Sequence, residues 1–208
     1  MSRTPTRSDG GATIIEFAFI ALLLFTMIFG IFEFGMVFRS RTTTVDAAAE
    51  GARVGAIQGP YRTSLGETAD FSIIKVIREN TSAIDPEDIT RIVIFKGSSS
   101  GAGSPASQVP AACKAGTPQP DKCNVYDPKT AFERVQVGNA SYFDCDANPA
   151  SPACSWNPSL RRNGPDSSDI DHLGVWIQVR HPFVTGLFGQ TLTMQSASIV
   201  RLEPGLFE

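Results

Sequence analysis

Glu16 and Glu33 are the only charged residues between Ala12 and Phe38, in the run ATIIEFAFIALLLFTMIFGIFEFGMVF. An acid at the centre of a membrane helix costs about 2.5 to 3.5 kcal/mol and less near an interface, so its presence needs a chemical reason. The chemistry open to it is attraction of a cation. At 4 Å and an effective dielectric of 20, two unit charges attract by about 4 kcal/mol before desolvation is subtracted. Glu33 lies roughly 25 Å further along a helix, so the two acids bracket the apolar run. It reads as an interfacial carboxylate reaching towards Arg39 or Ser40.

Cysteine chemistry is the second candidate. Cys113, Cys123, Cys145 and Cys154 are spaced C-x9-C and C-x8-C within a Pro/Gly/Ser-rich region. There is no CxxC pair and no Cys/His zinc pattern, which points to two disulfides in an oxidising compartment. Three connectivities are open. Sequential pairing, Cys113 with Cys123 and Cys145 with Cys154, is the expectation because each bond closes a short local loop. His172 and His181 are the only histidines, and no G-x-S-x-G, H-E-x-x-H or P-loop pattern accompanies them. Asp166, Asp169, Asp171 and His172 form an acidic cluster that reads as a solvated loop. No catalytic residue, metal or cofactor is expected. The net charge of −3 and the scattered Lys and Arg residues argue against nucleic acid as a partner.

The element that must position Glu16 is the apolar run itself. Ala12 to Phe38 as a helix would measure roughly 40 Å, against about 30 Å for a hydrocarbon core. A cleavable secretory signal would be shorter and would end in a small-residue exit, whereas Arg39-Ser40-Arg41 follows here. An ordinary signal anchor is the plainer alternative. Its orientation is nearly a tie by charge, with Arg3 and Arg7 before the span and Arg39 and Arg41 after it.

A third reading accounts for more residues. The polar leader MSRTPTRSDGG ends in Gly directly before the apolar helix, and an acid stands fifth after that Gly. This resembles a type IV prepilin signal, which implies cleavage between Gly11 and Ala12 by a prepilin peptidase, with the helix retained. The continuation is similar to the TadE-like minor pilins of the tight-adherence (Tad, or Flp) pilus system. The residues that carry this are the Glu16-Phe17-Ala18 start, Glu33-Phe34-Gly35 at the far end, and Ala48-Ala49-Glu50-Gly51-Ala52-Arg53. The resemblance is specific over residues 11–57 and weaker over 174–204, and it does not extend to the insert at 97–170. It implies that Glu16 meets the new α-amine of a neighbouring subunit and sets the stagger between them.

Beyond the span, a helix is expected to continue from 39 to 58, with Val45, Ala48, Ala49, Ala52 and Ala56 on a small apolar stripe beside Gly51 and Gly55. Such a stripe suits either a partner helix or the chain's own domain. Gly59-Pro60 ends it. A second helix is expected from Leu65 to Asn80, opened by a Ser64-x-x-Glu67 capping box. Strands are expected at Thr90–Lys96, Glu133–Val137, Gly174–Arg180 (with Val175, Ile177 and Val179 on one side) and Thr191–Arg201. Helix first and strands later, without βαβ alternation, gives an α+β class: a long N-terminal transmembrane helix, then a domain with a second helix and a small antiparallel sheet, pilin-like, carrying a disulfide-stapled loop insert.

The organisation expected is a leader at 1–11, a transmembrane helix at 12–38, its continuation at 39–58 and a periplasmic domain at 59–208. The resemblance implies a non-enzymatic minor pilin or pseudopilin in the bacterial inner membrane, N-terminus cytoplasmic, able to enter an extracellular pilus. Its partners would be prepilin peptidase, other pilin-like subunits including a second TadE-like protein, the pilus assembly platform and membrane lipid. The alternative is a single-span, membrane-anchored periplasmic binding or adhesion module not processed as a pilin.

Overall fold

The computed structural model describes residues 10–98, 104–164, 170–186 and 188–204. Helix α1, Gly10–Gln58, runs unbroken for 49 residues, roughly 73 Å. No proline interrupts it before Pro60. It stops where Gly59 turns left-handed (φ 57°) and donates its N–H to the Gly55 carbonyl at 2.9 Å, a helix end that glycine adopts without steric cost.

The two halves of α1 sit in different surroundings. Nearly every side chain from Thr13 to Phe32 is exposed. From Ser40 onward one face is covered: Ser40, Thr44, Ala47, Ala48, Gly51, Ala52, Gly55 and Ala56 are buried at the three- and four-residue spacing of a helix stripe. Helix α2, Ala69–Asn80, lies against this stripe. A Cβ placed on Gly55 would stand 2.5 Å from Ile73 Cδ1 and 3.0 Å from Leu173 Cδ1, and one on Gly51 would stand 3.1 Å from Ile77 Cγ1. The two glycines therefore set how close α2 comes.

Helix α2 begins later than the capping-box pattern places it. Gly66, at φ 78°, breaks the backbone, and the Thr63 hydroxyl accepts the Glu67 N–H at 3.1 Å. That turn occupies the residues expected to form the first helical turn. The other end is closed by Thr81, whose hydroxyl donates to the Ile77 carbonyl at 2.8 Å.

Four antiparallel strands follow in the order β2-β1-β3-β4: β1 Ile89–Gly97, β2 Cys123–Tyr126, β3 His172–Pro182 and β4 Thr191–Arg201. Alternation divides the sheet into two faces. Ile92 and Ile94 of β1 with Val175, Ile177 and Val179 of β3 join the helix side, packing with α1 and α2. Val93, Phe95 and Trp176 face the other way onto Val109, Cys113 and Cys123. Phe95 is paired with Gly174, where a Cβ would stand 2.3 Å from its ring. The aromatic lies across β3 because that position has no side chain.

The insert differs from the polar loop expected of it. It forms two short helices, α3 Pro105–Gln108 and α4 Ala111–Ala115, then β2, then α5 Pro128–Gln136. The expected strand at Glu133–Val137 is the end of α5 and its cap. Its alternation is short, while Asp127 accepts the Thr130 N–H at 2.9 Å as an N-cap and Pro128 opens the first turn. Ala131, Phe132 and Val135 then face the core at helical spacing. With Tyr126, Phe143 and Trp156, the insert contributes to the main core rather than lying outside it.

Two disulfides staple this region, Cys113 to Cys123 and Cys145 to Cys154, the sequential pairing. The first is buried between the sheet and α4. The class is thus α+β: a long N-terminal apolar helix, a second helix packed on it, an antiparallel sheet and a disulfide-stapled insert.

Candidate functional site

In the first half of α1 the apolar side chains point outward all round, and Ile15, Phe17, Phe19 and Ile31 are each more than half exposed. Among the described residues, this is the one helix long and apolar enough to cross a membrane. Thr26 donates its hydroxyl within the helix to the carbonyls of Leu22 and Leu23 at 3.1 and 2.8 Å, which leaves that group little hydrogen-bonding demand on surroundings that lack water.

Gly11, Ala12 and Glu16 fall in the first two turns of α1, and residues 1–9 of the expected leader lie outside the described residues. Gly11 and Glu16 are exposed. Glu16 forms no ion pair among the described residues, where the pairs begin at Glu50 with Arg53. The acid stands on the outer surface of the apolar half, open to whatever lies beside the helix.

Glu33 behaves otherwise, and here the expectation of an interfacial carboxylate near Arg39 or Ser40 is corrected. Its side chain is buried. Oε2 accepts the backbone N–H of Val184 at 3.2 Å and Oε1 that of Thr185 at 2.5 Å, both in the turn joining β3 to β4. The neighbouring rings complete a clasp, with Phe188 5.2 Å from Phe34 and its edge over Gly30. The carboxylate is thus held not by Arg39 but by two amides that are 151 and 152 residues away. One signal bears on this: carried back by helical spacing, the buried stripe reaches Glu33 through Ser40 and Met36.

The small-residue stripe packs on the chain's own domain. Ala48, Ala52 and Ala56 are fully covered by α2 and the sheet, whereas Val45 and Ala49 are exposed on the opposite side. That outer side also carries Glu50 and Arg53, paired through two hydrogen bonds of 2.8 and 2.5 Å.

Beneath the sheet edge lies a polar centre. Asp70 of α2 accepts from Asn124 Nδ2 at 2.8 Å, from the Tyr126 hydroxyl at 2.6 Å and from the Arg161 guanidinium. Asn124 Oδ1 in turn accepts the Trp156 N–H at 2.7 Å, and Arg161 stacks 4.2 Å over the Trp156 ring. Both charges are completely buried. The arrangement joins α2, β2 and the insert, and the Tyr126 phenol is pushed well above its usual range, chiefly by burial and then by Asp70 beside it. Such a neutral phenol is a donor to Asp70 and not a base.

Two further buried acids are held by ion pairs. Asp144 pairs with Arg62, whose guanidinium holds the carboxyl below its ordinary range. Asp171 lies 2.9 Å from Lys96; burial pushes its carboxyl up, but the Arg162 N–H and the Lys96 ammonium outweigh that and hold it low. Asp166 and Asp169 lie outside the described residues. Among the described residues there is no group of three His, Cys, Asp or Glu side chains placed to hold a metal.

Compared with known proteins, residues 11–53 match the family model described as TadE-like protein. Neither a curated protein nor a solved structure matches the chain. The matched segment covers the exposed apolar half of α1, Glu16, Glu33 and the glycine-spaced stripe up to Arg53. The match over residues 11–53 makes this helix similar to the TadE-like family and is consistent with a TadE-like protein of the Tad pilus system.

Proposed function

We propose that this chain is a membrane-inserted minor pilin or pseudopilin that supports assembly of a Tad pilus by priming, capping or modifying the fibre. It acts through helix packing rather than catalysis. Residues 1–11 are the leader, removed by prepilin peptidase between Gly11 and Ala12. Residues 12–38 cross the inner membrane with the N-terminus cytoplasmic, residues 39–58 continue the helix, and 59–208 form the periplasmic domain. Glu16 receives the new α-amine of a neighbouring pilin-like subunit, a second TadE-like protein among them, and the assembly platform takes up the processed subunit.

The observation that carries this reading is the coincidence of the TadE-like match with a helix that is exposed on nearly every side from Thr13 to Phe29. The second half is already occupied by its own domain. Partners packing along the helix therefore meet the half that bears Glu16. Desolvating the acid beside a fresh amine converts its insertion cost into a register-setting attraction.

Intact-mass analysis after coexpression with a prepilin peptidase tests the maturation step. A mature N-terminus at Ala12 is expected. Retention of Met1 or Ser2 refutes it and favours an unprocessed, membrane-anchored binding or adhesion module. Glu16→Ala tests the pairing: piliation should fall while membrane insertion persists, and unchanged piliation refutes the role of Glu16.

A further inference from the structure

The turn between β3 and β4 lies on the apolar side of the domain. From Pro182 to Val200 the sequence carries no charge. The tip bends through Gly186 at φ 70° and Gly189 at φ 110°, and the Phe183 N–H closes it on the Gln190 carbonyl at 3.0 Å. One side of the tip is clasped to α1 by Glu33, Phe34 and Gly30. On the other, Val184 is 73% and Phe188 46% exposed, and the Phe188 ring, 5.2 Å from that of Phe34, runs on into the exposed surface of α1, where Phe34 is itself 57% exposed.

Helix geometry places this tip in depth. It touches α1 at residues 30 to 34, and the first cations beyond are Arg39 and Arg41. At 1.5 Å per residue the tip stands roughly 8 to 14 Å closer to the apolar half than Arg39. Lys and Arg near the end of a span sit at headgroup level, so the tip projects past that level towards the acyl chains. Backbone N–H groups cannot remain without acceptors there. The buried carboxylate of Glu33 supplies acceptors for two of them.

We propose that the β3–β4 tip is a second membrane contact, which inserts Val184 and Phe188 into the outer headgroup–acyl boundary beside α1. The inference rests on α1 spanning the membrane. Its occupant is lipid, because the patch is continuous with the exposed apolar surface of α1 and carries no charge for a polar partner to read. Two points of attachment fix the rotation of the domain about α1. The tip also covers the Gly30–Phe34 face, so neighbouring helices must approach α1 at that level from its other sides.

The full-length chain, reconstituted in phosphatidylcholine/phosphatidylglycerol vesicles, carries an environment-sensitive fluorophore on Val184→Cys. Leu24→Cys reports the middle of the span. Leu160→Cys reports the far end of the domain, where Asn163 lies beside Gly59 at the end of α1. All three positions are more than half exposed, so labelling leaves the fold intact. Lipids bearing a nitroxide near the ester group should quench the Val184 probe at least about twofold more than the Leu160 probe, as for an interfacial apolar segment, while deep-chain nitroxides quench Leu24. A Val184 probe quenched no more than Leu160, with Leu24 quenched, overturns the second contact and leaves the membrane helix standing. A blue-shifted but unquenched Val184 probe means that protein covers the tip, and likewise overturns it. An unquenched Leu24 probe overturns both.

Discussion

Asp70→Ala should destabilise the domain far more than the loss of one surface charge would. Asp70 and Arg161 are both completely buried, and the carboxylate also accepts from Asn124 and Tyr126. Among the described residues Arg161 has little else: its Nε and Nη1 have no hydrogen-bond partner, Nη2 also donates to the Trp156 carbonyl at a long 3.4 Å, and the cation rests on the Trp156 ring at 4.2 Å. Removing Asp70 therefore strands a charge away from water, a change that costs about 3 to 5 kcal/mol. At about 2 to 4 °C per kcal/mol for a domain of this size, the melting temperature should drop by roughly 6 to 20 °C. The informative comparison is the double substitution Asp70→Leu with Arg161→Met. It removes both charges and keeps the volume, so it should lie closer to the parent chain than either single variant. Thermal unfolding of the full chain in detergent micelles, followed by near-ultraviolet circular dichroism of Trp156 and Trp176, reads all four states. Additive effects of the two single changes, or a drop under about 2 °C for Asp70→Ala, would refute a coupled buried pair.

Gly55→Val should lower the unfolding midpoint in urea by the equivalent of about 1 to 3 kcal/mol, the usual cost of overpacking, because its Cβ would meet Ile73 at 2.5 Å; the exposed neighbour Val45→Ala serves as the control and should change little. Acid should weaken the fold through Asp144 and Asp171. Both carboxyls are held low in the folded state, so their contribution is complete above the unfolded value of about 3.9 and is lost as pH falls through the folded values. Urea midpoints should thus be insensitive to these groups between about pH 5 and 7 and fall below about pH 4, and Arg62→Gln should flatten the acid limb. Glu33→Ala should speed hydrogen exchange of the Val184 and Thr185 amides by more than about tenfold, since both lose a charged acceptor; unchanged exchange in mass spectrometry of the 183–190 region would mean that the tip holds itself.

How much of this was legible depends on whether the cause is local. The unbroken apolar run and the Gly59-Pro60 stop are local, and α1 ends where they place it. Alternation in Gly174–Arg180 put Val175, Ile177 and Val179 on one side, and they share the helix-facing core. Local signals also compete. Ser64-x-x-Glu67 looks like a capping box, but Gly66 takes a left-handed turn and Thr63 captures Glu67, so α2 begins at Ala69. At 133–137 a brief alternation lost to a stronger start signal, Asp127-Pro128, with three apolar residues at helical spacing behind it.

By itself the sequence determined the long apolar helix and an α+β domain, because chain-local periodicity and turn chemistry encode both, while residues 11–53 carry the resemblance to the TadE-like family through their motifs. Only the tertiary structure decided which partners the polar and small residues take. Gly51 and Gly55 fit a partner helix or the chain's own α2 equally well until α2 is seen against them. Asp70 and Arg161 lie 91 residues apart, and nothing in either neighbourhood names the other. Glu33, like Glu16 an acid near one end of the apolar span, read as an interfacial carboxylate near Arg39 or Ser40. What separates them is the β3–β4 turn, which brings two amides from the far end of the chain to one carboxylate and leaves the other open.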